Sequence, residues 1–167
     1  EKIMRAAAAG DAEAPARTVQ TIARPGGEDF VFLVMPGTWG ERRVAAAKVV
    51  SNVPDNPAAG RATVQGLAVL LDVETGSPRL IVDASTLTTV RTGAVIGLAT
   101  RMLAPPSCEV LGVIGTGGIA ADLVAGAAAV RDVGRLLVND ARPEAAAAFV
   151  EGSALVAEVV ADNDEIA

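Results

Sequence analysis

The sequence predicts an α/β chain, and three observations carry that prediction. Up to about residue 83, apolar runs alternate with turn clusters, the pattern of successive strands. The stretch Cys108 to Leu123, CEVLGVIGTGGIAADL, then joins a short apolar run to a glycine turn and a helical pattern. Beyond it, apolar runs and an alanine-rich helical segment alternate. Strands in series, followed by strands alternating with helices, describe a mixed α/β architecture in two parts.

Taken in order, residues 1–16 read as the end of a helix and a loop: Lys2, Met4 and the alanines to Ala9 favour helix, and Gly10-Asp11 stops it. Opening on a helix remnant, the chain is expected to have its natural N-terminus upstream. Ala14-Pro15-Ala16-Arg17 is an extended approach to a strand at Thr18 to Ala23. Pro25-Gly26-Gly27 turns the chain, Phe30 to Met35 is a buried strand, and Pro36-Gly37 is expected to end it. Residues 44–50, VAAAKVV, set Lys48 among small apolar residues in what reads as an interior strand. Lysine is rarely buried without a partner, and partial burial makes it a usable acid or base. On pattern alone, an edge or strand-end lysine reaching solvent is the commoner case. Pro54-Asp55-Asn56-Pro57 and Gly60 form a turn cluster, and Thr63 to Asp72 pairs with Pro78 to Asp83 across Glu74-Thr75-Gly76-Ser77 as a hairpin. A helix begins at about Thr86, with Val95, Leu98, Ala99, Met102 and Leu103 on one face, and stops at Pro105-Pro106. Arg91 and Thr92 fall early in it, where free N–H groups and a guanidinium suit an anion, although an arginine on a helix is usually a solvated face.

The glycine stretch is the most informative. Val110 to Ile114 is short enough to be a buried strand, and Ile119, Ala120, Leu123, Val124 and Ala127 are spaced as one helix face. Between them the pattern is G-x-G-x-x-A: Gly115 for a tight turn, Gly117 for close backbone approach, Ala120 for close helix–strand contact. A helix N-terminus there suits a dinucleotide pyrophosphate. Arg135 to Asp140 reads as the next strand, ending in an acid, and Asp140 sits about where an acid binding a ribose 2′-hydroxyl is expected, roughly 20 residues on. Arg142 would instead favour a 2′-phosphate. The plainer alternative is a glycine-rich turn with a solvated Asp at a strand end. Glu144 to Glu151 reads as a helix, Leu155 to Val160 as a third strand, and Asp162 to Glu165 as the start of another helix. Three such strands make half of a doubly wound sheet.

Composition narrows the function. Of 167 residues 51% are hydrophobic, much of it alanine and valine, so core material is ample but small in volume. Net charge is −6 with scattered basic residues and only four aromatic side chains, three Phe and one Trp, which speaks against nucleic acid and against an anionic membrane. No apolar run is long enough to span a membrane and the start is not a signal peptide, so a cytoplasmic protein is expected. Cys108 is alone, which excludes an internal disulfide, and histidine is absent, which removes Ser-His-Asp chemistry and the commonest metal ligand. No metal site is expected, and acid–base work falls to Lys, Asp or Glu.

Three stretches in order, KVVSNVPDNPAAG (Lys48 to Gly60), VLLDVETGSPRLIVDA (Val69 to Ala84) and LTTVRTGAVIGLATRMLA (Leu87 to Ala104), run into VIGTGGIA. That set resembles the ornithine cyclodeaminase/mu-crystallin family, with the Leu-Thr-x-x-Arg-Thr-Gly-Ala helix start as its most specific part. The resemblance implies a mixed-sheet substrate-binding and dimerisation domain over residues 1–86, a connecting helix over 87–106, and a truncated Rossmann domain over 107–167. It implies NAD or NADP as cofactor, a small amino or imino acid as substrate, and a homodimer. Family members pass a hydride to or from the carbon bearing an amino or imino group. By resemblance Arg17 and Arg91 bind the substrate carboxylate, Lys48 is the active-site lysine, and Thr63 lines the substrate pocket. Thr92 stands near the cofactor phosphates, Gly115, Thr116, Gly117, Gly118 and Ile119 form the pyrophosphate loop, and Asp140 and Arg142 face the ribose. Many members have Gln where this chain has Ile119. Members are also considerably longer, and their catalytic aspartate lies beyond Ala167, so the chain is expected to be a fragment. The implied activity is cyclodeamination with bound NAD; the alternatives are a reductase or amino-acid dehydrogenase of the same family, or a non-catalytic nucleotide- or ligand-binding protein.

Overall fold

The structure, a computed structural model, describes residues 1–166. The chain forms two compact units, Glu1–Thr88 and Thr89–Ala167.

The first unit is built on an antiparallel sheet of six strands: β1 (Ala12–Glu13), β2 (Thr18–Ile22), β3 (Phe30–Trp39), β4 (Val44–Asn52), β5 (Val64–Asp72) and β6 (Pro78–Asp83). It is preceded by the short helix α1 (Lys2–Ala8). β4 is central, flanked by β3 and β5, while β1 and β2 share the outer edge of β3. Pro36-Gly37 does not end the third strand as expected; β3 continues to Trp39. The physical reason lies in the edge: pairing with β2 stops at Val34 and pairing with β1 begins at Thr38, so Pro36 falls in the gap. A residue without an N–H is tolerated on such an edge. The β5–β6 hairpin is held by Asp72, whose carboxylate accepts the N–H groups of Glu74 and Thr75 at 2.8 and 2.9 Å and pairs with Arg79. Directly paired residues share a face, so Met35, Lys48, Ala68 and Val82 form one row across the sheet. The adjacent row, Val34, Val49, Leu67 and Asp83, faces the other way.

α2 (Ala84–Leu103) starts two residues earlier than the periodicity places it. Asp83 sets the start by accepting the Thr86 N–H at 2.7 Å, a side-chain cap. Its buried positions also differ from the expected face: Met102 and Leu103 are 70% and 83% exposed, whereas Gly93 and Gly97 are buried. In the second unit these glycines meet α3 (Ala120–Ala128) backbone to backbone. A Cβ on Gly97 would stand 2.5 Å from the Gly126 carbonyl oxygen, and one on Gly93 would collide with that of Asp122. The C-terminal carbonyls of α2 are taken by Arg131, which donates to Thr100, Arg101, Ala104 and Pro105 at 2.7–3.0 Å.

The second unit also holds a parallel sheet in the order β7 (Val110–Ile114), β8 (Arg135–Asn139) and β9 (Val156–Val159), with α4 (Pro143–Glu151) between the last two. β8 is central, and its Leu136 and Val138 are fully buried with Val113 and Ala146; Val124, Phe149 and Leu155 pack around them. This is the first half of a Rossmann sheet, as expected. The residues after β9 form turns rather than the expected helix, with Asp162 accepting the N–H groups of Asp164 and Glu165. Among the described residues no helix is long and apolar enough to cross a membrane.

Candidate functional site

The glycine turn links the end of β7 to the start of α3, with Ile119 at the N-cap and Ala120 4% exposed against the sheet. Gly115 has φ +87°, in the left-handed region that a Cβ disfavours, and its N–H donates to the Asn139 carbonyl at 2.8 Å. A Cβ on Gly117 or Gly118 would meet nothing within 4 Å, so no protein atom accounts for either lacking a side chain. The N–H groups of Gly117, Gly118 and Ile119 donate to no acceptor among the described residues. A helix N-terminus with unclaimed N–H groups and a clear approach fits a pyrophosphate.

Asp140 directly follows β8, and its side chain is 9% exposed. One oxygen accepts both the Thr116 N–H at 2.7 Å and the Thr116 hydroxyl at 2.8 Å; the other accepts the Arg142 N–H at 2.9 Å. These bonds stabilise the carboxylate and lower its pKa to about 2, the Thr116 N–H having the largest effect, then the Arg142 N–H and the Thr116 hydroxyl. Asp140 therefore ties down the loop as well as marking the strand end. Arg142, at the N-cap of α4, sets its Nε 3.6 Å from the same carboxylate.

In the first unit Lys48 sits mid-way along the central strand, half-buried, and its Nζ donates to Thr88 Oγ1 at 3.0 Å. It is neither an edge nor a strand-end lysine. Arg17 is exposed and immediately precedes the Thr18–Val34 pair, one step toward the Met35–Lys48 pair. Thr63, half-buried, lies just before β5, and its carbonyl accepts the Val53 N–H at 2.9 Å. Val64 pairs with Asn52, four residues along β4 from Lys48, so Thr63 belongs to the far end of that strand. Arg91 is the eighth residue of α2, past the turn where helix N–H groups are free, and is exposed; Thr92 is half-buried. Thus the loop and Asp140 come together, and Lys48 meets a partner that sequence reading missed, Thr88. Its only signal was membership of the segment LTTVRTGA, where nothing distinguishes it from Thr89 or Thr92. Among the described residues no cluster of Cys, Asp and Glu is arranged to hold a metal.

An antiparallel sheet bearing a partnered central lysine, followed by a Rossmann half with an open glycine loop and a strand-end acid, defines an α/β protein whose second unit has the Rossmann pattern. The model of the ornithine cyclodeaminase/mu-crystallin family matches residues 1–165, and the chain belongs to that family. It is 36% identical over 124 residues to a Δ1-pyrroline-2-carboxylate reductase of Bacillus cereus, covering 74% of this chain and 38% of the relative. It is 38% identical over 87 residues to an L-lysine cyclodeaminase of Streptomyces rapamycinicus, covering 52% and 25%. Among solved structures it is similar to the Δ1-pyrroline-2-carboxylate reductase of Thermococcus litoralis in complex with NADH and L-proline, with a TM-score of 0.87, 29% identity, and 95% and 50% of the two chains covered. An archaeal alanine dehydrogenase dimer with bound NAD gives 0.84 and 31%, covering 98% and 50%. The chain spans half or less of the length of these relatives.

Proposed function

We propose that the chain belongs to an NAD(H)-dependent enzyme that reduces a cyclic imino acid of the Δ1-pyrroline-2-carboxylate type. The observation that carries the reading is the loop at Gly115–Ile119: exposed residues Gly117, Gly118 and Ile119 whose N–H groups are unclaimed among the described residues, beside an acid at the end of the next strand. The loop N–H groups hold the pyrophosphate, and Asp140 receives a ribose hydroxyl. Its fixed negative charge, with Arg142 already drawn to it, repels a 2′-phosphate, which favours NAD over NADP. The bound nicotinamide supplies a hydride to the imino carbon. Arg17 and Arg91, which have no ion-pair or hydrogen-bond partner among the described residues, bind the substrate carboxylate as guanidinium forks. Lys48 stands beside the substrate nitrogen and handles its proton. Reduction is favoured over cyclodeamination because similarity to the reductase extends over more of the chain. Cyclodeamination of lysine or ornithine is the second reading, motivated by the lysine cyclodeaminase relative; there the hydride returns and no coenzyme is consumed. The protein is a homodimer through the apolar sheet face of the first unit, where Leu67 and Ile81 are 59% and 62% exposed.

The test is direct. The natural protein is mixed with NADH and Δ1-pyrroline-2-carboxylate, and separately with ornithine and lysine. Loss of NADH absorbance with the imine is expected, with NADPH at least ten-fold less effective. Ammonia release without net change in coenzyme would move the assignment to cyclodeamination, and silence in both assays would sink the enzymatic reading.

A further inference from the structure

Lys48 has four rotatable side-chain bonds and, in its row of the sheet, the apolar neighbours Met35 and Ala68. Neither neighbour can direct its amine. Thr88 can: its Oγ1 stands 3.0 Å from Nζ, across a sequence separation of 40 residues. The Thr88 hydroxyl is itself oriented, because it donates to the Ala84 carbonyl at 2.7 Å, four residues back in α2, and Ala84 is fully buried. A hydroxyl has one proton and two lone pairs. With the proton committed to Ala84, Oγ1 can only accept from the lysine. We infer that Thr88 is a positioning residue for Lys48: it accepts one N–H from the amine in either protonation state and never donates to it. The neutral amine's lone pair is therefore left for a proton from elsewhere. The inference rests on the proposed role of Lys48 but extends it to a residue outside the substrate and coenzyme contacts. The contact is also placed by two rigid elements, the central strand that carries Lys48 and the first turns of α2 that carry Thr88, so the geometry does not depend on a loop.

The experiment compares Thr88→Val, nearly isosteric but without an acceptor, with Thr88→Ser, which keeps the hydroxyl. In the natural protein, Thr88→Val is expected to lower kcat for NADH-linked reduction of Δ1-pyrroline-2-carboxylate at least ten-fold. The imine KM and the NADH affinity should stay within about two-fold and the melting temperature should be unchanged, while Thr88→Ser restores most of kcat. A second readout needs no turnover: competitive labelling of amines with limiting acetic anhydride, quantified on the Lys48 peptide. Exposed Lys2, the other lysine of this stretch, is the internal reference. Losing the acceptor removes a hydrogen bond that holds Nζ and favours its charged form, so the Lys48-to-Lys2 labelling ratio should rise several-fold in Thr88→Val and not in Thr88→Ser. An unchanged ratio, or equal damage by Val and Ser, overturns the inference. Wild-type protein without turnover would defeat the proposed function, while the labelling ratio would still decide whether Thr88 holds Lys48.

Discussion

The two units bury their apolar residues in opposite ways. In the second, three parallel strands and their helices close on Leu136 and Val138, both at 0% exposure. In the first, a larger sheet leaves Leu67 and Ile81 of one face more than half exposed, and only small side chains such as Ala68 and Val50 are buried in it. Only the central strand β8 is covered in this Rossmann half, with Ile114 and Val156 of its neighbours 63% and 71% exposed, whereas an antiparallel sheet can keep one face open. The difference teaches where stability resides: the second unit carries its own core, and the first presents apolar surface suited to an interface.

Substitution at the two sites should separate them most. Leu136→Ala removes a fully enclosed side chain and should cost about 2–5 kcal/mol in chemical denaturation. Leu67→Ala should cost less than about 1 kcal/mol in the dissociated protomer, where its side chain is 59% exposed. Equal costs would break the comparison. The next effect is on assembly. Leu67→Asp with Ile81→Asp should convert the proposed dimer to monomer in sedimentation velocity, while near-native circular dichroism is retained. A dimer that survives both would move the interface off this face.

The smallest effect is acid sensitivity of the glycine loop. The Asp140 pKa is lowered in the folded chain, so its contribution to stability is present above the ordinary carboxylate range and is lost as pH falls from about 4 through about 2. A carbon-detected NMR titration should find its midpoint near 2, and Thr116→Val should raise it by removing the hydroxyl bond while keeping the backbone one. A midpoint near 4 in the wild type would mean that the carboxylate does not hold the loop.

Much of this was legible locally. The G-x-G-x-x-A turn, the strands on either side and Asp140 follow from glycine placement and apolar spacing, because those constraints act over a few residues. The face of α2 was not legible. Its apolar periodicity pointed to Val95, Met102 and Leu103, yet the helix is buried where Gly93 and Gly97 let α3 approach. Close backbone packing leaves no apolar signal. The end of β3 was misread for a related reason: Pro36 breaks a strand only where its missing N–H would have had a partner.

By itself, then, the sequence determined the order of the main elements apart from the short strand β1 and the turns after β9, the glycine loop, the strand-end acid and the presence of one lysine among small apolar neighbours. Tertiary structure alone decided that Lys48 lies mid-strand and meets Thr88 rather than the adjacent threonine, that Arg131 closes α2, and that Asp140 binds Thr116 as well as marking the strand end. The reason is physical. Short-range sterics and periodicity set backbone conformation, but which side chains meet across 20–40 residues depends on strand register and helix rotation, which are settled only when the elements pack.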